Sequence, residues 1–221
     1  MPPWLQSPDA IAGWRTAEAG IVGSVASLSA TTAPGSGRST VGAKAGTNYA
    51  LLDLSQPSYS VLYQSFTVGA AGIRSGQLRY DAFATSFAGT EPPDLSPFNG
   101  FDFNGNDAML TLRVDILKPG AALLTTARAD IVRSYVPTVE YFGNSLTTPT
   151  AYSSYLHPLG ALDLLAGQTY TLRFAAAANS AAFIVGIDNV SIDVSPVPEP
   201  ATLASLLAGL ALFTLLARHR R

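Results

Sequence analysis

The chain has 221 residues, a formal net charge of −2 and 13% charged residues. It contains no cysteine, which excludes disulfides, thiol chemistry and thiolate metal sites. All 15 acidic residues precede Ala201, so that part of the chain is mildly acidic and carries no basic stripe for nucleic acid. The 19 glycines and 15 prolines are typical of an extracytoplasmic β protein with many turns.

Short strands separated by turns are predicted along the body, without a convincing amphipathic helix. The clearest strand spans 109–117, where apolar residues at even positions alternate with polar residues at odd positions. A turn follows at 117–120, and 122–131 is predicted to run back as its hairpin partner. β-branched and aromatic segments predict further strands at 21–28, 48–54, 60–68 and 169–174.

The last predicted strand, 183–194, changes its buried parity. Apolar residues occupy odd positions from Phe183 to Ile187 and even positions from Val190 to Val194. A strand needs one extra residue to make that change, so we predict a β-bulge at Asp188-Asn189. About eight antiparallel strands with long connections predict an all-β fold, a β-sandwich of jelly-roll type over residues 1–195.

The C-terminal residues 196–221 have three parts: a proline-rich hinge, an apolar run and a basic end. The run 201–217 has no charge and would span roughly 25 Å as a helix, close to the hydrocarbon core of a bilayer. We predict a single transmembrane helix, with the basic end in the cytoplasm and the body outside. Its representative apolar residues are Ala201, Leu203, Leu207, Leu210, Phe213 and Leu216, and the basic stop is Arg218, Arg220 and Arg221.

The triplet Pro198-Glu199-Pro200, followed by the apolar run and the basic end, resembles the PEP-CTERM sorting signal of exported bacterial proteins. The resemblance implies that exosortase, a membrane protease, reads the triplet and processes the tail near it. The protein would then sit in the inner membrane first and in the cell envelope or outside the cell after processing. A buried C-terminal helix and an unprocessed tail anchor are the alternatives.

An exported protein is expected to begin with a basic stretch and an apolar run, and residues 1–10 have neither. Two explanations stay open: the recorded start lies downstream of the true one, or the chain is a truncated, unexported form. We expect the first, with an incomplete N-terminus.

Several loose patterns in the body are similar to galactose-binding-like jelly rolls, and this resemblance implies the fold class. The matching segments are 12–14 (Ala-Gly-Trp), 49–52, 63–68, 106–107 and 186–192.

Calcium is the cofactor that the sequence favours, because it takes oxygen ligands from carboxylates, amides and carbonyls. One candidate loop holds four such side chains, Asp102, Asn104, Asn106 and Asp107. It is not an EF-hand, since Asp107 and Arg113 stand where glycine and glutamate are needed. The jelly-roll resemblance implies a second calcium ligand at Asp188, with Glu18 as a contributor. The alternative at both places is that these residues cap turns.

Carbohydrate binding requires exposed aromatic faces with polar groups beside them. The candidates are Trp14 near the start, and Tyr141 and Tyr152 in a Pro/Thr/Ser-rich stretch. The alternative is that these rings pack over the ends of the sandwich.

Catalytic motifs are few. His157 is the one histidine ahead of the tail, and no phosphate loop or nucleophile elbow is present. We therefore expect no enzyme, but an exported structural or adhesive protein linked to exopolysaccharide. A carbohydrate-binding module and a polysaccharide hydrolase or lyase are the alternatives, and the partners would be exosortase, the membrane and polysaccharide.

Overall fold

The computed structural model describes residues 14–20, 23–55, 58–70, 72–86, 110–135, 151–160, 162–178 and 182–196. Within these ranges the regular structure is ten strands and one 3-10 helix, Arg128–Asp130. The strands are β1 (Arg15–Gly20), β2 (Gly23–Leu28), β3 (Tyr49–Leu54), β4 (Ser58–Thr67), β5 (Ile73–Ser86), β6 (Leu110–Leu117), β7 (Ile131–Tyr135), β8 (Ser153–Pro158), β9 (Thr169–Ala178) and β10 (Phe183–Pro196).

The strands form two five-stranded sheets that pack face to face. The first sheet has the order β1-β4-β9-β6-β7, and the second has the order β2-β3-β10-β5-β8. Every strand pair in both sheets is antiparallel. The predicted all-β sandwich is therefore confirmed.

The core lies between the sheets and follows the period of two that strands impose. Alternate residues of each central strand point into it, and most are less than 2% exposed. Full burial of such side chains stabilises the fold by about 1.5–3 kcal/mol each. The inward set includes Leu52, Leu62, Leu78, Tyr80, Leu112, Val114, Leu172, Phe174, Phe183 and Val185.

The two ends of the sandwich differ in what they carry. We call the lower end the one where Thr67 pairs with Thr169 in the first sheet and Pro196 pairs with Ile73 in the second. The strand directions place three connections there, 68–72, 118–130 and 159–168. The chain also leaves β10 toward the C-terminal tail at this end.

The predicted bulge in β10 is confirmed. Asp188 pairs with Asp81 and Ser191 pairs with Arg79, so two residues, Asn189 and Val190, stand opposite one. Asn189 has a φ of 51°, in the left-handed region that asparagine tolerates better than most residues. The extra residue keeps the side chains beyond it on the core side, where Val190 packs against the buried cluster.

The connection between β2 and β3 covers the outer face of the second sheet. A second apolar cluster, with Leu51, Phe83 and Ile184 at its centre, lies beneath it. Asp53 anchors the connection, since its Oδ2 accepts the amides of Gly35 at 2.7 Å and Ser36 at 2.9 Å.

An ion cluster lies on the outer face of the first sheet. The Asp115 carboxylate faces Arg173 Nη2 at 2.7 Å and Arg113 Nε at 3.2 Å, and all three side chains are fully buried. Arg173 also donates to the carbonyls of Leu123 and Thr125, which fixes the 118–130 connection on this face. Burial lowers the pKa of Arg173, and the Asp115 charge opposes that shift.

The structure differs from the sequence predictions in one hairpin and in four additional strands, and the predicted transmembrane helix falls outside the described residues. The strand that pairs with β6 is β7 and not the predicted segment 122–131. Two carbonyls of that segment, those of Leu123 and Thr125, accept hydrogen bonds from Arg173. β1, β5, β7 and β8 were not predicted. Among the described residues no helix has the length and hydropathy that crossing a membrane requires; the apolar run 201–217 lies outside them.

Replacing Asp115 with asparagine should lower the free energy of unfolding by about 3–5 kcal/mol, because two buried guanidinium groups lose their counter-charge. Urea denaturation measures this change. The matched control is Asp193→Asn, which removes an exposed carboxylate 3.8 Å from Arg79 Nε and should cost less than about 1 kcal/mol. Equal stability of the two variants would contradict the role given to the cluster.

Candidate functional site

A cleft opens at the side of the sandwich, between the two sheets. β1 pairs with only the upper part of β4, starting with Arg15 opposite Tyr63, and β3 pairs with only the upper part of β10, starting with Ala50 opposite Ile187. The lower parts of β4 and β10 are therefore uncovered on this side. The cleft has a volume of about 140 Å³. It is lined by Trp14, Asn48, Tyr49, Ala50, Leu62, Ile187, Asp188, Asn189 and Val190.

The floor of this cleft is apolar and its rim is polar. Ala50, Leu62 and Ile187 are buried core residues, whereas Asn48 and Asn189 are exposed. The volume is well below the roughly 300–1,000 Å³ of pockets that enclose a drug-sized ligand. The geometry therefore suits a single ring or the end of a chain.

Trp14 combines a packing role with a surface role. Its ring centroid lies 5.8 Å from that of Phe174, and the side chain packs against the core. It is nevertheless only partly buried and forms one wall of the cleft. The packing that the sequence analysis gave as the alternative is therefore observed, and saccharide binding at Trp14 stays a prediction.

The opposite wall is held by a polar network around the bulge. Asp188 Oδ2 accepts the amides of Lys44 at 2.7 Å and Ala45 at 3.0 Å, and its Oδ1 accepts the amide of Asn189 at 2.7 Å. The Asn189 side chain donates to Asp81 Oδ2 at 2.6 Å. These bonds fix the backbone that forms the rim of the cleft.

These contacts bear on the calcium prediction. The Asp188 carboxylate caps the turn at Lys44 and Ala45, as the alternative in the sequence analysis has it. Among the residues that the structure describes, no group of three acidic or histidine side chains is placed to hold a metal. The other four candidates, Asp102, Asn104, Asn106 and Asp107, lie outside the described residues, and calcium there stays a prediction.

Tyr152 lies away from the cleft, on the outer face of the second sheet. Its ring meets that of Phe83 edge-on at 4.9 Å, and its hydroxyl donates to the Gly42 carbonyl at 2.9 Å. Lys44 Nζ stands 5.9 Å from the ring centroid. Burial raises the pKa of Tyr152, and the charge of Asp188 raises it further. The structure does not bring Tyr152 and Trp14 together, and Tyr141 lies outside the described residues.

His157 belongs to an aromatic stack that closes the opposite edge of the sandwich. Its ring lies 4.2 Å from that of Tyr135, and its Nε2 is 3.2 Å from the Tyr80 hydroxyl. Burial lowers the pKa of His157, and the charge of Arg133 lowers it further. The His157 ring therefore packs among tyrosines as an aromatic side chain does.

The cleft also contains residues that sequence reasoning missed. Asn48 and Asn189 reach the same rim from positions 141 residues apart, and only tertiary pairing brings them together. The one usable signal was the parity change in β10, which marks the bulge that carries Asn189.

Solved structures with a similar fold have low identity. The enzymatically active domain of Bacteriophage CBA120 tailspike protein 4 has a TM-score of 0.45 and 12% identity, over 84% of this chain and 20% of that one. TmCBM61 in complex with β-1,4-galactotriose has a TM-score of 0.45 and 10% identity, over 87% of this chain and 98% of that one. The K3 cleaved adhesin domain of Lys-gingipain from Porphyromonas gingivalis has a TM-score of 0.47 and 15% identity, over 82% of this chain and 92% of that one. At these scores the likeness carries no argument about function.

The sequence was also compared with curated proteins and with family models. The comparison with curated proteins found no match. Residues 196–221, however, match the family model described as the PEP-CTERM protein-sorting motif. The predicted sorting segment is therefore confirmed over its full predicted range, and the chain ends in a signal of exported proteins.

Proposed function

We propose that the protein is an exported, non-catalytic β-sandwich that is delivered to the cell envelope or matrix by its C-terminal signal. In this proposal an exosortase-type membrane protease processes the tail near Pro198-Glu199-Pro200, and 201–217 spans the inner membrane beforehand. The observation that carries it is the match of 196–221 to the sorting motif.

The junction between body and signal supports this proposal. β10 remains paired as far as Pro196, which stands opposite Ile73, and the matched segment begins at that same residue. A folded sandwich followed directly by a sorting signal is the arrangement expected of an exported domain that is later separated from its signal.

Four carboxylates of the described body are engaged in structural bonds, which favours a non-catalytic role. Asp53 and Asp188 accept backbone amides, Asp81 accepts from Asn189, and Asp115 neutralises two arginines. A glycosidase instead needs two carboxyl groups about 5–9 Å apart on either side of a scissile bond. Each of these four acids has a structural task.

In a host with exosortase, mass spectrometry of the mature protein should find no peptide from Leu203 onward, because the tail is removed near the triplet. A host that lacks the protease provides the control, in which those peptides persist. If most molecules keep an intact tail in both hosts, the segment is only a membrane anchor.

A second candidate function is saccharide binding in the side cleft. The specific observation is the combination of the Trp14 ring on one wall with the amides of Asn48 and Asn189 on the rim, above an apolar floor. An aromatic face covers the C–H face of a sugar while amides orient its hydroxyls. Such binding would link the protein to exopolysaccharide.

On a glycan array, Trp14→Ala should weaken the binding of any recognised oligosaccharide at least about tenfold, which is a loss of 1.4 kcal/mol. Since Trp14 also packs on Phe174, Trp14→Phe serves as the control that keeps an aromatic ring. Asn48→Ala changes an exposed rim residue without touching the core and should weaken binding as well. Unchanged binding by folded Trp14→Ala and Asn48→Ala variants would remove the cleft from consideration.

A further inference from the structure

The lower end of the sandwich carries exposed apolar residues at the tips of its connections. Leu165 is the most exposed large apolar residue described, at 65%, and Val194 at the end of β10 is 49% exposed. Small or apolar residues such as Pro119, Gly120 and Ala166 are exposed beside them, next to the charged Lys118 and Asp163. Exposed apolar surface rimmed by polar residues is typical of an interaction site.

The exposure of Leu165 is fixed by hydrogen bonds. The Leu165 amide donates to the Tyr170 hydroxyl at 2.8 Å. The neighbouring Gly167 amide donates to the Val68 carbonyl at 2.9 Å, which joins this connection to the one between β4 and β5. The leucine side chain is therefore held outward by the fold.

A groove of about 520 Å³ runs beside this tip. Its apolar lining includes Ile131, Leu162 and Leu165, and two cations, Lys118 and Arg133, share it with a single carboxylate, Asp163. An apolar base with an excess of positive charge complements a surface of acyl chains and anionic phosphates.

The short segment between β10 and the apolar run limits how far the lower end can lie from the membrane. Pro196 is paired in the sheet, and the apolar run begins at Ala201. Five residue steps reach at most about 18 Å when fully extended. The headgroup layer takes up roughly 5–8 Å of that distance, so the lower end stays within about 13 Å of the membrane surface.

We propose that the lower end of the sandwich docks on the bilayer surface while the tail is in place, with Leu165 inserted at the level of the headgroups. This rests on the proposed function, because the tail must first occupy the membrane. Docking holds the Pro198-Glu199-Pro200 triplet at the membrane surface, and removal of the tail releases the sandwich.

The chain has no cysteine, so a single introduced cysteine carries one dye at a chosen position. The full chain with Leu165→Cys, labelled with an environment-sensitive dye, is reconstituted in nanodiscs of phosphatidylethanolamine and phosphatidylglycerol that contain nitroxide lipids. The matched control is Leu156→Cys in β8, a leucine that is 56% exposed on the outer face of the second sheet. Quenching at position 165 should exceed that at 156 by at least about twofold, given insertion of 5–10 Å.

Two failures are distinguishable. If neither variant elutes with the nanodiscs, the tail does not enter lipid, and both the docking and the membrane part of the proposed function are overturned. If both variants elute with the nanodiscs and their dyes are quenched equally, the docking alone is overturned. Replacing Lys118 and Arg133 with glutamate should reduce quenching at position 165, and unchanged quenching would remove the electrostatic part of the proposal.

Discussion

One extra residue in β10 is the constraint on which the rest of the structure depends. Without the bulge, the residues beyond Asp188 would turn their apolar side chains outward, because a one-residue slip exchanges the two faces of a strand. With it, Val190 and Ile192 stay on the core side down to the lower end. Asp188, just before the extra residue, holds the turn at Lys44, and residues 188–190 form one wall of the side cleft.

β10 lines the cleft at the side of the sandwich and ends at its lower end. The side of the sandwich carries the cleft with Trp14, and its lower end carries the apolar tips and the exit toward the sorting motif. A sorting motif that begins at Pro196 would leave the folded body little freedom to move away from the membrane if the tail occupies it as proposed. The cleft and the exit toward the sorting motif therefore occupy separate surfaces of the sandwich.

Local patterns predicted those features whose causes are local. The alternation in 109–117 gave the two faces of β6, and the parity change gave the bulge. They could not show that Arg113 and Asp115 are buried, since the partner Arg173 and the covering connection come from distant parts of the chain. β5 was missed because its inward residues include small alanines, which give a weak pattern. The cleft needed strand pairing to bring Asn48 beside Asn189.

The most direct test of the central constraint is the urea unfolding midpoint of a variant in which Asn189 is deleted, compared with Asn189→Gly. The substitution keeps the extra residue and the positive φ but removes the hydrogen bond from Asn189 to Asp81, so it should cost about 1 kcal/mol. The deletion should lower the free energy of unfolding by about 3 kcal/mol or more, since it removes the same hydrogen bond and also turns the partly buried Val190 and Ile192 away from the core. A deletion variant as stable as Asn189→Gly would contradict the account.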